Sequence, residues 1–469
     1  MEYRTLSDIE LQLIQEIFRM DQILEEESER KAYDHDYTED LHFLPHLVVL
    51  PESAEQIAAL LKLCNDRGIP VTVRGAGTGL SGGALAVHGG ILLSMERFNK
   101  ILAIDEENFQ AVVETGVITQ VFQEAVAAKG LFYPPDPASK GSCFIGGNLA
   151  ENSGGPKAVK YGVTKDYVLN LEVVLANGEI IWTGANVLKN ATGLNLTQLM
   201  VGSEGTLGVI TKAVFQLLPL PKFDVLMLAP FKEATAACAA VASIFKLGVV
   251  PSGLEFMEKD ALQFAKEFIP DIEIDIPEDV GAHLLIELDG NNMEVLMRDA
   301  EQIHQLLENE YDSTEILFAD SQAQKDKLWK LRRSLGEAVK ANSIYKEEDT
   351  VVQRASLPVL LSNVKAIGRK YGFQSVCYGH AGDGNLHVNI LKGEMSDKAW
   401  EGEHLKKGIR EIFKVCKELG GTISGEHGIG YVQKEYMDIV FNPEERSLQE
   451  AIKKVFDPHG ILNPGKIWS

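Results

Sequence analysis

Apolar residues recur at helical spacing near the start of the chain. Ser7 and Glu10 match a capping box, so an amphipathic helix is predicted to begin there. Its apolar positions are Ile9, Leu13, Ile14, Ile17 and Phe18. A second helix is predicted between a cap at Ser53 and an end near Gly68, and the apolar run Val71 to Arg74 predicts the strand that follows it. This alternation of helix and strand is typical of α/β packing.

A β-hairpin is predicted where two apolar runs flank Asn177-Gly178, a pair that favours a tight turn. After the proline-rich stretch 219–221, strands alternate with long helices. Examples are Val225 to Ala229, Ala234 to Leu247, His283 to Leu288, Met293 to Tyr311 and Val359 to Tyr371. The pattern predicts a boundary near residue 220, and an α+β second half in which helices cover a mixed or antiparallel sheet.

Composition and charge narrow the class of protein. The 469 residues exceed what one hydrophobic core usually serves, and a net charge of −23 disfavours nucleic acid and anionic lipid as partners. The five cysteines are scattered and form no C-x-x-C pair, which argues against a disulfide framework or an iron–sulfur site. No signal peptide or membrane-spanning run is recognised, so we expect a cytoplasmic protein that could reach a membrane only through a partner.

A glycine-dense stretch follows the strand Val71 to Arg74 and covers residues 75–83. Missing side chains let backbone N–H groups converge on an anion, which indicates a phosphate cradle, although a flexible loop is the alternative for such a stretch alone. Gly77-x-Gly79-x-x-Gly82 matches the Rossmann fingerprint formally. We reject that match because the fingerprint requires a helix to begin there, whereas Gly89-Gly90 and a strand-like run follow.

Two further stretches rich in small residues, 134–162 and 202–210, complete an ordered set of three. Over about residues 40–220 the chain resembles FAD domains of the vanillyl-alcohol-oxidase, or PCMH, type. The resemblance implies FAD binding, with the first loop on the pyrophosphate, Gly146 and Gly147 along the flavin, and Ile210 on the adenine side. The implied cofactor residues are Arg74, Gly75, Ala76, Gly77, Thr78, Gly79, Leu80, Ser81, Pro135, Asp136, Ser139, Ser142, Gly146, Gly147, Asn148, Ser153, Gly154, Tyr161, Gly162, Glu204, Gly205, Gly208, Ile210 and Asn463. His88 lies in no attachment motif, so we expect non-covalent FAD.

The second half carries two histidines on either side of a predicted tight turn, His380 and His387. If the flanking segments fold back on each other, both imidazoles can face one ion, and Glu426 could supply an oxygen ligand. Structural histidines are the alternative, but the glycines around both segments favour a ligand site because they clear space near the backbone.

From about residue 221 to Lys466 the chain resembles the C-terminal half of the FAD-linked 2-hydroxyacid dehydrogenases. That family includes D-lactate dehydrogenases, the flavin subunit of glycolate oxidase and D-2-hydroxyglutarate dehydrogenases. The resemblance implies a divalent metal, Zn²⁺ or Mn²⁺, on His380, His387 and Glu426, with His427 as the catalytic base. The predicted division is then an N-terminal helical segment, 1–40, a PCMH-type FAD domain, 41–220, and a substrate and metal domain, 221–469.

The same resemblance places the substrate carboxylate on Arg332 and, close to it, Lys346. Arg333 would point about 100° away on a helix, and Lys346 is equally well explained as an ordinary surface lysine in a charge run. Gly336 stands where the hydroxyglutarate-oxidising branch tends to have a hydroxyl side chain. Residues 151–156 and 160–164 look closest to the glycolate oxidase and lactate dehydrogenase branch, so the resemblance implies FAD-dependent oxidation of D-lactate or glycolate.

Three alternatives remain open at this point. They are a D-2-hydroxyglutarate dehydrogenase, a flavoenzyme like alkyl-dihydroxyacetonephosphate synthase, and a non-catalytic FAD-binding accessory subunit. The expected electron acceptor is external, either an iron–sulfur subunit, an electron-transfer flavoprotein, a quinone, a cytochrome or oxygen. A homodimer is compatible with the sequence.

Overall fold

The computed structural model describes residues 6–38, 41–269 and 276–468. The chain forms two compact units. The first unit comprises Met1–Gly154, Val163–Leu220 and Glu426–Ser469, and the second comprises Gly155–Gly162 and Pro221–Gly425. Among the described residues, no helix has both the length and the hydropathy needed to span a bilayer.

Strands occur throughout both units. In chain order they are β1 (Ile23–Leu24), β2 (Leu47–Val49), β3 (Val71–Arg74), β4 (Ile91–Ser94), β5 (Ile101–Asp105), β6 (Gln110–Glu114), β7 (Leu131–Phe132), β8 (Val168–Val174), β9 (Ile180–Trp182), β10 (Val209–Gln216), β11 (Leu218–Pro219), β12 (Phe223–Phe231), β13 (Gly253–Glu258), β14 (Ala282–Gly290), β15 (Leu317–Phe318), β16 (Tyr345–Val351), β17 (Gln374–Gly379) and β18 (Asn385–Leu391).

The α-helices range from single turns to five turns. They are α1 (Asp8–Ile17), α2 (Glu27–Arg30), α3 (Ala54–Arg67), α4 (Thr119–Ala127), α5 (Ile145–Glu151), α6 (Ala158–Tyr161), α7 (Leu196–Met200), α8 (Ala234–Lys246), α9 (Lys259–Phe268), α10 (Met293–Tyr311), α11 (Gln322–Arg333), α12 (Leu335–Asn342), α13 (Leu357–Tyr371), α14 (Asp397–Trp400), α15 (Glu403–Glu418), α16 (Met437–Val440) and α17 (Pro443–Phe456). Short 3₁₀ turns cover Met20–Gln22, Lys31–Tyr33, Thr164–Asp166, Arg354–Ser356, Ala381–Asp383 and Lys434–Tyr436.

The first unit contains a four-stranded sheet in the order β1-β2-β4-β3, in which β4 runs parallel to both β2 and β3. Helix α3 connects β2 to β3. It begins where Ser53 Oγ accepts a hydrogen bond from Gln56 N and ends at Gly68, whose φ of +67° suits glycine, so both predicted ends are confirmed. Its buried face packs into a core shared with β2, β3 and β4.

A second, antiparallel sheet of the first unit has the order β5-β6-β10-β8-β9. The predicted hairpin is confirmed, because β8 pairs with β9 and Gly178 N donates to Leu175 O at 2.9 Å in the turn. The predicted capping box of α1 is also present, since Ser7 N donates to Glu10 Oε2 at 2.8 Å.

The second unit is built on one seven-stranded sheet in the order β15-β12-β14-β13-β17-β18-β16, and every neighbouring pair is antiparallel. The prediction of a mixed or antiparallel sheet is therefore resolved in favour of the antiparallel form. Helices α9, α11 and α12 bury an apolar cluster together with strand residues, including Leu331, Leu335 and Tyr378. This cluster fixes the end of α11 next to β17.

Two segments depart from the predicted division at residue 220. The last part of the chain, 426–469, belongs to the first unit because Val71 N donates to Ile461 O and Asn463 N donates to Val71 O, both at 2.8 Å. The segment 155–162 belongs to the second unit because Tyr161 Oη donates to Asp289 Oδ1 at 2.7 Å. Long-range pairing of backbone and charge, which hydrophobic spacing does not encode, decides both assignments.

Candidate functional site

The loop that follows β3 closes over a buried cation. A Cβ atom added at Gly77, where φ is +73°, would lie 2.1 Å from Arg74 Nη2. Arg74 is 6 % exposed, and its Nη1 donates to the carbonyl oxygen of His35 at 2.7 Å. Glycine at 77 therefore allows the backbone to run directly over the guanidinium, as a cradle for an anion requires.

The three glycine-rich segments of the first unit meet, and we call this region the glycine cradle (residues 74–83, 146–147 and 204–205). A Cβ atom added at Gly75 would lie 3.5 Å from Gly147 N, and one added at Gly205 would lie 3.7 Å from Val73 Cβ. At Gly146 an added Cβ would lie 2.9 Å from Thr115 Cβ, whereas at Gly147 nothing lies within 4 Å. Gly146 is thus needed for packing, while Gly147 faces open space.

One polar side-chain atom of the glycine cradle is buried and makes no hydrogen bond to the described residues. Ser81 is 3 % exposed, and its Oγ has no hydrogen-bond partner among the described residues. A buried hydroxyl normally has a hydrogen-bond partner, so the Ser81 hydroxyl is suited to donate a hydrogen bond to a phosphate oxygen of a bound cofactor.

Several of the other predicted cofactor residues make contacts within the protein. Asn148 Nδ2 donates to Thr119 Oγ1 at 2.6 Å, and Gly208 packs so closely on Val173 that an added Cβ would lie 2.5 Å from its Cγ1. Carbonyl oxygens accept hydrogen bonds at Pro135, Ser139, Ser153 and Ile210, while Asp136 and Gly154 are buried and Ser142 is exposed. Ala76, Thr78, Gly79 and Leu80 are half-buried in the first loop. Tyr161 and Gly162 lie in the second unit.

Glu204 and Asn463 serve the protein with their side chains. Glu204 accepts hydrogen bonds from Ile429 N at 2.8 Å and Gly430 N at 2.6 Å. Burial raises the pKa of Glu204 although these two bonds oppose the shift. Asn463 Nδ2 donates to Gly83 O at 3.1 Å and to Glu204 O at 2.6 Å. The two side chains therefore stabilise the backbone of the glycine cradle through hydrogen bonds within the protein.

Lys466 is a buried cation that sequence reasoning missed as a site residue. Its Nζ donates to Gly83 O, Leu85 O and Asn463 Oδ1. Burial lowers the pKa of Lys466 to about 7, and the nearby carboxylates Asp36, Glu204 and Glu151 oppose the shift. Its position in the C-terminal motif 462–466 was the only available signal.

The predicted residues Glu426 and His427 lie in the first unit. Gly154 N donates to Glu426 Oε2 at 3.2 Å. Just after His427, a Cβ atom added at Gly428 would lie 2.0 Å from Glu151 Oε2, and φ at Gly428 is +80°. The backbone that carries His427 is therefore held between α5 and the Glu204 carboxylate.

In the second unit, β17 and β18 bring the two predicted histidines together. Tyr378 on β17 pairs with His387 on β18, and the rings of His380 and His387 lie edge to face with centroids 5.4 Å apart. The tight turn between them includes Gly384, where φ is +86° and an added Cβ would lie 2.0 Å from Val352 O. The structure thus contains the turn and the facing imidazoles that the sequence predicts.

Each imidazole has a carboxylate near its Nδ1, and that of His380 is hydrogen-bonded to Glu255. His380 Nδ1 lies 2.9 Å from Glu255 Oε2, and His387 Nδ1 lies 3.2 Å from Glu347 Oε1 and 3.6 Å from Asp349 Oδ1. With Arg332, these residues define the carboxylate–histidine cluster (Glu255, Arg332, Glu347, Asp349, His380 and His387). Carboxylate contact at one ring nitrogen is the usual arrangement of histidines that bind a metal with the other.

Arg332 lies at the end of α11 within this cluster. Its Nη2 is 2.6 Å from Glu255 Oε2, and its guanidinium carbon lies 5.2 Å from the centre of the Tyr378 ring. Arg332 is 5 % exposed, and its Nε has no hydrogen-bond partner among the described residues. Arg333 points elsewhere, with its guanidinium 5.2 Å from the Trp329 ring, as the helical geometry predicts.

Lys346 does not share the face of the sheet that carries the histidines. On β16 it pairs with Ile390, whereas Asp349 pairs with His387, and alternate residues of a strand face opposite sides. Lys346 is exposed, with its Nζ 5.7 Å from the Trp400 ring. The placement favours the alternative of an ordinary surface lysine, so we leave Lys346 out of the candidate site.

Comparison with known proteins gives two matching family models. Residues 45–184 match an FAD binding domain, and residues 220–467 match the C-terminal domain of FAD linked oxidases. The glycolate oxidase subunit GlcD of Bacillus subtilis (strain 168) is 39 % identical over 94 % of this chain and 92 % of its own length. The D-lactate dehydrogenase of Anaerostipes hadrus is 39 % identical over 90 % of this chain and 89 % of its own length.

Solved structures show the same fold. A p-cresol methylhydroxylase with bound substrate superposes with a TM-score of 0.79 over 97 % of this chain and 96 % of its own, at 18 % identity. The predicted PCMH-type architecture and the predicted FAD domain are confirmed by the two matching family models, by the relatives and by the shared fold. The chain therefore belongs to the FAD-linked oxidases and is an FAD-linked hydroxyacid dehydrogenase.

Proposed function

We propose that the chain oxidises a small 2-hydroxy acid, D-lactate or glycolate, to the corresponding 2-oxo acid. Relatives named as a glycolate oxidase subunit and a D-lactate dehydrogenase, each aligned over nine-tenths of this chain or more, support this substrate class. The chemistry that bound FAD would supply is hydride acceptance, and the chemistry that a bound divalent cation would supply is acidification of the substrate hydroxyl.

The observation that carries the proposal is a buried guanidinium beside the imidazole of His380. Arg332 has one unsatisfied donor, Nε, and its Nη2 lies 3.5 Å from His380 Nδ1. An incoming carboxylate would satisfy that donor with a charge-assisted hydrogen bond. Arg332 would therefore bind the substrate carboxylate and align its α-carbon, and His427 would take the hydroxyl proton.

The residues of the carboxylate–histidine cluster fit a divalent cation. Two imidazoles with carboxylates at Nδ1 match the chemistry of metal ligands, and the carboxylates of Glu255, Glu347 and Asp349 outnumber the single guanidinium. Asp349 Oδ2 also accepts from Gly425 N at 2.8 Å, which fixes the residue that directly precedes Glu426. We propose that His380, His387 and Glu426 hold Zn²⁺ or Mn²⁺.

Tyr378 supports a substrate with a small side chain. A Cβ atom added at Gly336, four residues after Arg332, would lie 3.4 Å from Tyr378 Oη, so the phenol lies beside the position where the hydroxyglutarate-oxidising branch tends to have a hydroxyl. Tyr378 Oη also lies 3.5 Å from Glu347 Oε1, and burial raises the pKa of this phenol, which therefore stays neutral. A second substrate carboxylate there would meet the carboxylate of Glu347, which would oppose its binding.

The geometry of the glycine cradle supports non-covalent FAD. Ser81 Oγ and the open space at Gly147 fit a bound cofactor, whereas His88 is exposed and contacts Gly465, where an added Cβ would lie 2.6 Å from His88 Nε2. Acid precipitation should release the yellow colour into the supernatant. Colour that stays with the pellet would contradict non-covalent binding.

The test of the reaction is anaerobic flavin bleaching with both enantiomers of several 2-hydroxy acids. D-lactate or glycolate should bleach the flavin, L-lactate should not, and D-2-hydroxyglutarate should act much more slowly. Bleaching by D-2-hydroxyglutarate alone would transfer the assignment to that branch. A flavin that no hydroxy acid bleaches would point to the synthase-like or accessory alternatives.

The metal requires a separate test. Exhaustive chelation should abolish substrate oxidation and leave the flavin spectrum nearly unchanged, because none of the three proposed metal ligands belongs to the glycine cradle. Adding Zn²⁺ or Mn²⁺ should restore activity. Full activity in a protein that elemental analysis finds free of metal would make the three residues structural.

An external acceptor must reoxidise the flavin. The five cysteines are all buried and free, at positions 64, 143, 238, 377 and 416, and burial raises the pKa of the Cys64, Cys238, Cys377 and Cys416 thiols. No two of them lie close in sequence, so the chain supplies no iron–sulfur relay of its own. We propose a separate electron-accepting protein or a quinone.

A further inference from the structure

Glu255 joins two members of the carboxylate–histidine cluster, although no sequence motif marks it. It lies on β13, is completely buried, and contacts two residues that are distant in sequence, Arg332 and His380. Its two carboxylate oxygens lie 3.0 and 2.9 Å from His380 Nδ1, and Oε2 also lies 2.6 Å from Arg332 Nη2.

A carboxylate this deeply buried must be compensated, since an isolated charge in the interior is very costly. Here the compensation is geometric, because Arg332 Nη2 and His380 Nδ1 both lie at hydrogen-bond distance from the one carboxylate. Glu255 is therefore an acceptor for both partners at once.

We propose that Glu255 is a positioning residue that orients the metal ligand His380 and the carboxylate-binding Arg332 together. This inference rests on the proposed function. By accepting from Nδ1–H, Glu255 fixes the imidazole tautomer in which Nε2 carries the lone pair for a metal. Its bond to Nη2 also holds the guanidinium in one plane, so that Nε is directed to the substrate.

The test compares Glu255→Gln with a matched control on the same strand, Glu258→Gln. Glu258 is also buried and also accepts hydrogen bonds from two partners, since its Oε2 accepts from Lys365 Nζ and Cys377 N, both at 2.8 Å. Neither of those partners belongs to the candidate site. Glu258→Gln should lower the melting temperature without changing metal affinity, whereas Glu255→Gln should change both.

Two measurements on the metal-free protein test whether Glu255 has this positioning role. Zn²⁺ alone, in competition with a chelator, should bind Glu255→Gln about 10- to 100-fold more weakly than the parent, which is the usual effect of losing such a carboxylate. In ¹⁵N-histidine spectra at pH 8, the His380 signal, assigned by its loss in His380→Gln, should report a proton on Nδ1 in the parent. In Glu255→Gln the amide can donate to Nδ1, so the proton should shift toward Nε2.

An unchanged tautomer in Glu255→Gln overturns the proposal, and so does unchanged Zn²⁺ affinity in a parent protein that binds Zn²⁺. A parent that neither binds metal nor is bleached by hydroxy acids would remove the proposed function, and the tautomer would still decide the role of Glu255. Should Glu255→Gln not fold, Glu255→Asp keeps the charge but withdraws it by one methylene. Zn²⁺ affinity equal to the parent in that variant would likewise overturn the proposal.

Discussion

The glycine cradle of the first unit and the carboxylate–histidine cluster of the second unit are candidate binding regions built from different materials. The cradle consists mainly of backbone, and its glycines are fixed by what a Cβ atom would hit, as at Gly77 and Gly146. The cluster consists of buried charged side chains that satisfy one another, as Glu255 does for Arg332 and His380.

This difference has a chemical reason. A phosphate is bound well by converging N–H groups, which every residue carries, so a cradle needs the absence of side chains. A carboxylate substrate and a metal need a guanidinium, imidazoles and carboxylates, which only particular side chains supply. Substitutions in the cradle should therefore act through added volume, and substitutions in the cluster through lost chemistry.

The largest effect is expected at His427. This residue lies in the first unit, whose glycine cradle consists mainly of backbone, yet it would act through its side chain. His427→Ala should slow flavin reduction by about 10²- to 10⁴-fold, the usual contribution of a general base, with little change in substrate affinity. Single-turnover flavin reduction measures this rate. Reduction at the parent rate would remove His427 as the base.

The next effect concerns His283 on β14, a buried imidazole that, unlike His380, has no hydrogen-bond partner for Nδ1 among the described residues. Burial lowers the pKa of His283 to about 4, from an ordinary value of 6.5. Between those values the native state holds fewer protons than the unfolded chain, so stability rises with pH over this interval. About 3 kcal/mol should be lost as the pH falls from 6.5 to 4.

His283→Leu removes that titration and should flatten the pH dependence between 6.5 and 4. Urea unfolding of the second unit, followed at pH 7 and at pH 4.5, provides the measurement. Parallel losses of stability in the parent and in His283→Leu would show that other groups cause the dependence.

A smaller effect is expected at Arg332. Arg332→Ala should raise KM about 10- to 100-fold, because a charge-assisted bond of roughly 1.5–3 kcal/mol is lost before the chemical step. Arg333→Ala is the matched control, since Arg333 stacks on Trp329 instead. Steady-state kinetics with D-lactate separates the two, and equal increases in KM would undo the assignment of the carboxylate to Arg332.

The smallest effect is expected from adjacent glycines of the cradle. Gly146→Ala should destabilise the apoprotein by about 1 kcal/mol, the lower end of overpacking costs, because its Cβ would press on Thr115. Gly147→Ala meets nothing in the protein, so it should leave the apoprotein as stable or stabilise it by up to about 1 kcal/mol, and weaken FAD binding instead. Melting curves with and without FAD distinguish the two variants. Identical behaviour of Gly146→Ala and Gly147→Ala would contradict the assignment of Gly146 to packing and of Gly147 to the cofactor side.

Local pattern predicted local structure well. The ends of α3 and the β8–β9 hairpin depend on Ser53, Gly68 and Asn177-Gly178, residues that act on their immediate neighbours. The glycine motifs and the histidine pair could likewise be recognised, because short spacing carries their chemistry.

The residues that sequence reasoning missed depend on distant contacts. Glu255 meets His380 across 125 positions and Lys466 meets Gly83 across 383, so no window of sequence contains either pair. The face occupied by Lys346 depends on the register of β16 against β18. Strand register is fixed by the packing of the whole sheet, which hydrophobic spacing alone leaves undetermined.

The return of the chain's last segment to the first unit has a consequence for biosynthesis. Ile461 and Leu462 are fully buried in the core that also contains Val71, and Asn463 and Lys466 bind the carbonyl oxygen of Gly83. A ribosome synthesises these residues after the second unit, so the glycine cradle lacks its support until the whole of the second unit has been made. The cofactor site should therefore mature late, although most of its glycines emerge before the second unit is synthesised.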